Sequence, residues 1–115
     1  MRHKKKIRRL SRSRGERIAL VRNLTRSLLI HGHITTTAAR AREVRRMTER
    51  AVTLGKRDDL AGYRAVSALL GSPDMVSLVR DRAVKYKDRA GGYVRVVHLP
   101  PRRGDAARLV HVSLL

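Results

Sequence analysis

Apolar residues recur at three- and four-residue steps through most of the chain and switch to alternation near its end. The first helical stretch covers about residues 14–31: Ile18, Val21, Leu24 or Thr25, Leu28 and Leu29 share one face, and Gly32 supplies the stop. Ser13 and Glu16 have the spacing of a capping box, in which each side chain satisfies the other's free backbone N–H. Ile34, Thr35 and Thr36 then favour a short strand, because β-branched side chains suit a pleated surface, and Thr37 is placed to cap a second helix. There Ala38, Ala41, Val44, Met47, Ala51 and Leu54 form an apolar face that stops at Gly55, while Arg42, Arg45, Arg46 and Arg50 fall on the other side. Asp58 or Asp59 caps a third helix through Leu60, Tyr63, Val66, Leu69 and Leu70, ended by Gly71. Ser72 reads as the cap of a fourth, with Pro73 in its first turn, Asp74 near the positive end of its dipole, and Met75, Val76, Leu78, Val79 and Ala83 on its apolar side.

The period then becomes two. YVRVVHL at 93–99 and RLVHVSLL at 108–115 are rich in β-branched residues, and PPRRGDAA between them reads as a long basic hairpin loop. Gly91 and Gly92 precede the first of these strands, and at least one is expected in a backbone conformation costly for other residues. The order helix, strand, three helices, two strands predicts an α+β fold of two layers, with the helices on one face of a small sheet. With 115 residues the chain suits one globular domain, placed at 15–115, preceded by a basic extension at 1–14.

Charge changes the picture from fold to partner. Lys and Arg number 28 against 9 Asp and Glu, for a net +19. Eight of the basic residues and no acid lie in MRHKKKIRRLSRSR, which leaves +11 on residues 15–115, so the domain is basic in its own right. Such charge repels itself and calls for a polyanion, with nucleic acid the first candidate and an acidic membrane surface the second. The opening segment has only Met1, Ile7 and Leu10 to bury, and is expected to be disordered in the free protein and to order along an RNA. The basic run leads into SRSRGER rather than the apolar stretch of a secretory signal, and no apolar run approaches the ~20 residues of a membrane span. A mitochondrial presequence is a competing reading of the Arg-rich start, with the cytoplasm preferred. Phe, Trp and Cys are absent, so the core must be aliphatic and there is neither a disulfide nor a thiolate metal site.

Little in the chain suggests catalysis. His3, His31, His33, His98 and His111 lack the three or four convergent partners that zinc needs, and no metal or cofactor is expected. Thr35–Thr37 offer hydroxyls without an evident base, and Asp58 and Asp59 more simply cap a helix. Gly91-Gly92-Tyr93 lacks the longer glycine pattern of a phosphate loop. The basic residues differ because they are distributed over the opening segment, the second helix and the Arg102–Arg103 loop. No zipper, zinc pattern or base-reading element is recognisable, and the scarcity of aromatics argues against a base-stacking sheet. Recognition of a folded RNA through its backbone and shape is what remains, with a nucleoid-type DNA binder and an RNA-processing enzyme as competing classes.

MRH at the start, RNL at 22–24 with SLL at 27–29, ITTT leading into RAREVR over 34–45, YKDRAGGYVRV at 86–96 and RRGD at 102–105 together resemble bacterial large-subunit ribosomal protein seventeen. The pieces run in order over nearly the whole chain. The resemblance implies a non-enzymatic constituent of the large subunit, cytoplasmic, near the outer end of the peptide exit tunnel. Its partners would be large-subunit rRNA and neighbouring ribosomal proteins, with no small-molecule substrate. RNA contacts are then expected in the opening segment at Arg2, His3, Lys4, Lys5, Lys6, Arg8, Arg9, Arg12 and Arg14. In the first helix they fall at Arg17, Arg22 and Asn23, and further on at Thr35, Thr36, Arg40, Arg42, Arg45 and Arg46. Arg89, Tyr93, Arg102 and Arg103 complete the set. The chain departs from the usual family residue at Ile7, Glu16 and Arg42, and Glu16, which phosphate would repel, is read as a cap.

Overall fold

Helix α1 (Arg14–His31) begins where Ser13 Oγ accepts from the Glu16 N–H at 3.4 Å, one half of the expected capping box. It ends at Gly32, left-handed with φ 82°, whose N–H donates to Leu28 O at 2.8 Å. The computed structural model describes His3 and residues 8–115; the expected contacts Arg2, Lys4, Lys5 and Lys6 lie outside the described residues. Strand β1 (His33–Thr37) runs directly into α2 (Ala38–Lys56). Thr37 occupies the cap position but makes no side-chain cap bond; the Ala38 N–H donates instead to Arg108 O, so the neighbouring strand's approach satisfies it.

Two boundaries differ from the sequence reading. Gly55 does not end α2 but lies buried in its last turn, where an added Cβ would stand 2.8 Å from Val79 Cγ1. The glycine serves a close approach of two helices, not a stop. Helix α3 (Leu60–Leu70) starts as expected at Asp59, whose Oδ1 accepts from the Gly62 N–H, and ends at left-handed Gly71. Helix α4 (Met75–Lys85), by contrast, starts at Met75 and not behind Ser72. Pro73 lies in a preceding turn and its carbonyl accepts from the Val76 N–H, three residues on, so the entry is wound too tightly to be regular α-helix.

Strands β2 (Val94–His98) and β3 (Leu109–Leu114) close a hairpin, and β3 takes the centre of an antiparallel sheet in the order β1-β3-β2. Val112 stands between Ile34 and Val96, and Val110 between Thr36 and His98. Helices α1 and α2 cover that face, and Leu28, Ala41 and Val44 meet Val94, Val110 and Val112 in one aliphatic cluster. Helices α3 and α4 pack against α1 and α2 through Leu29, Ala51, Val66, Leu70, Met75 and Val79. The molecule is therefore α+β, with its helices on one face of the sheet. Gly92, at φ 67°, takes the left-handed conformation expected of the glycine pair, and no neighbour crowds it, so the requirement is conformational alone.

The other sheet face is uncovered. His33, Thr35, Arg95, Val97, His111 and Ser113 alternate onto it, and the His33 and His111 rings stack at 5.5 Å.

Candidate nucleic-acid interface

The arginines divide by what they touch. Arg22 of α1 donates from Nε to Leu69 O at 3.0 Å and from Nη2 to Ala68 O at 2.9 Å. Arg26, one turn on, donates from Nε to Leu70 O at 3.0 Å. Arg82 of α4 donates to Leu29 O at 3.1 Å and Ile30 O at 3.3 Å. The last carbonyls of a helix have no intrahelical donor and carry partial negative charge, so these guanidinium groups close the C-termini of α3 and α1. Arg22 thus already serves α3.

A second set surrounds open space. Arg14 and Arg17 on α1 and Arg46 and Arg50 on α2 line one groove of about 300 Å³. Its apolar lining comes from Ile18 and Val21 of α1, Met47 of α2 and Leu69 of α3. Arg46 and Arg50 are one helical turn apart, and the crossing of α1 over α2 brings Arg14 and Arg17 to the same opening. Glu43 is the acidic residue in this lining, 8% exposed, with Oε2 3.5 Å from Arg46 Nη1. Four cations at the mouth of a groove give a field that attracts phosphate, and guanidinium groups match its oxygens in pairs.

The remaining expected residues lie elsewhere. Arg42 and Arg45 are exposed on the outer face of α2, where Arg45 pairs with Glu49 at 3.4 Å; Arg40 is half-buried and Asn23 exposed. His3, Arg8, Arg9 and Arg12 are exposed. Thr35 faces outward on the open side of the sheet, whereas Thr36 is buried beneath it. Arg89 is exposed, and its carbonyl accepts from Lys56 Nζ and from the Tyr93 hydroxyl, the latter at 3.1 Å. Tyr93 itself is 1% exposed, its ring packed with Val52, Ala83 and Tyr86. The Lys56 ammonium donates to its oxygen at 3.0 Å and holds the phenol below its usual pKa. Its ring has no face open to a base.

In the hairpin loop Arg102 and Asp105 form a two-bond pair at 3.1 and 2.6 Å, and the Ala107 N–H also donates to Asp105. The Arg102 bond first, and the Ala107 bond second, hold the Asp105 carboxyl at about 2. Arg103 beside them is exposed. Arg50 and Arg95 were outside the expected set; the four-residue step from Arg46 places Arg50, and alternation in β2 places Arg95 on the open sheet face. Among the described residues no group of three His, Asp or Glu could hold a metal ion, and no helix is long and apolar enough to cross a membrane.

Comparison with known proteins bears on this surface. The sequence profile of a family described as "Ribosomal protein L17" matches residues 20–115. The "Large ribosomal subunit protein bL17" of Trichlorobacter lovleyi is 46% identical over 116 residues, covering 100% of this chain and 94% of that protein. The protein of the same name from Desulfitobacterium hafniense is 48% identical over 109 residues, covering 94% and 97%. That of Dehalococcoides mccartyi is 42% identical over 116 residues, covering 100% and 99%.

Proposed function

The chain belongs to the ribosomal protein L17 family, and from that premise we propose how it serves the large ribosomal subunit: as a structural, non-enzymatic component that grips large-subunit rRNA. The observation that carries the proposal is the convergence of Arg14, Arg17, Arg46 and Arg50 on one groove, next in the chain to a segment with eight cations in fourteen residues. Arg14 ends that segment and also lines the groove, so the cations run on in the sequence from the extension at 1–14 into the domain at 15–115. Arg42 and Arg45 on α2, Arg89 and the Arg102–Arg103 loop add phosphate contacts, and Thr35 and Arg95 offer the open sheet face to RNA or to a neighbouring ribosomal protein. The proposal includes a place near the outer end of the exit tunnel, in a cytoplasmic ribosome, as the family resemblance implies.

Each phosphate neutralised releases counterions, so purely electrostatic binding by six to ten contacts weakens about 10³–10⁵ between low and moderate salt. Retention on the subunit must then come from shape-specific burial as well. Fractionation of cells carrying the tagged protein tests this: it should sediment with large subunits through a moderate-salt wash. Recovery chiefly with DNA would overturn the reading.

A further inference from the structure

The floor of the arginine groove is unexplained by phosphate binding. A surface that only tracks an RNA backbone needs cations, and Ile18, Val21, Met47 and Leu69 offer phosphate nothing. Glu43 is stranger still. It lines the groove among four arginines, yet its Oε1 is covered and accepts no hydrogen bond from any described residue. A covered carboxylate oxygen without a donor is unfavourable, and a donor brought by a ligand would relieve it.

We infer that this groove receives a single unpaired nucleobase bearing an amino group, whose N–H donates to Glu43 while the surrounding arginines hold the flanking phosphates. The inference rests on the rRNA-binding reading and sharpens it from backbone contact to a base-accepting site. The groove, at about 300 Å³, admits one splayed base and not a stacked duplex. Its apolar lining suits the flat face of a base, as unstacked bases of RNA loops are commonly received. The four guanidinium groups favour a nucleotide over an apolar protein side chain, which would gain nothing from them. A carboxylate only accepts, so it selects an edge that presents a donor outward; cytosine N4 does this, whereas uracil shows a carbonyl oxygen at the same place. Arg46 is exposed and approaches the other oxygen, Oε2, at 3.5 Å; its turning outward to phosphate would release Oε2 and let the carboxylate turn its covered Oε1 toward the groove.

Cytosine and uracil differ mainly at that edge, so the test compares short single-stranded oligocytidine and oligouridine against the full chain by fluorescence anisotropy. Oligocytidine should bind about tenfold more tightly, the discrimination expected of one good base contact. Glu43→Leu removes a negative charge beside the phosphate-holding arginines and should tighten both probes, but it should bring their ratio near one. Leu69→Trp, which fills the floor, should abolish the preference too, and decides the matter if Glu43→Leu lowers the melting temperature. Equal binding of the two probes by the parent chain, or a ratio that survives both substitutions, would overturn the inference. Protein that shows no preference yet sediments with large subunits would sink the base site alone; failure to sediment would sink the ribosomal reading beneath it.

Discussion

Arg26 and Arg14 belong to the same helix and do different work. Arg26 donates to Leu70 O, the last carbonyl of α3, while Arg22 serves the Ala68 and Leu69 carbonyls before it. Arg14 is exposed at the mouth of the groove. Hydrogen bonds from charged donors contribute about 1.5–3 kcal/mol, so Arg26→Ala should lower unfolding stability by roughly that amount in urea titrations, with Arg14→Ala near the parent. Equal stabilities for the two variants would show that the capping geometry is not a source of stability. Asp105 gives a second residue-scale expectation. Its folded pKa is about 2, below the ordinary 3.8, so the Arg102–Asp105 closure is fully favoured above pH 3.8 and is lost as pH falls through about 2. A carboxyl-carbon NMR titration should place the Asp105 midpoint near 2, and Arg102→Ala should return it toward 3.8. A midpoint near 3.8 in the parent chain would contradict the pairing.

At the scale of elements, the pattern of apolar spacing was enough to order α1, β1, α2, α3, α4, β2 and β3, because each repeats its period over enough residues to be read alone. What it missed depends on neighbours. Gly55 looks like a stop until Val79 is known to lie against it, and Thr25 is buried while Leu24 only edges the core. Likewise Arg22 and Tyr93 carry no local mark of being engaged, and only the packing of α1 on α3, or of the chain after α4 on α2, reveals their partners. The segment before α1 is a different case, since its charge outweighs its apolar content so heavily that its expected contribution is through an anion. Deleting residues 2–12 should leave the melting temperature of the domain nearly unchanged and sharply reduce affinity for large-subunit RNA, with a flatter salt dependence. Equal affinity and salt slope for truncated and full chains would make the segment a mere solubilising tail.

Across the whole molecule the charge is lopsided. Residues 57–81, which include α3 and the start of α4, hold three Arg and four Asp, a net −1, and the rest of the chain holds +20. A polyanion is drawn to one side of such a body more than to the other, so on the proposed reading the α1–α2 groove would meet RNA and the surface of residues 57–81 would face away. The groove could not be read from the sequence because its arginines come from positions far apart in the chain, 14 and 17 against 46 and 50, and their convergence is a property of the α1–α2 crossing. The most direct test of the account replaces Arg14, Arg17, Arg46 and Arg50 together by Gln and measures the affinity for large-subunit rRNA as a function of salt. With each phosphate contact contributing about 0.7–0.9 to the slope of log affinity against log salt, the variant should lose about 3 from that slope and keep its melting temperature. A folded variant with the parent's slope would show that the four arginines do not meet phosphate, and would contradict the account.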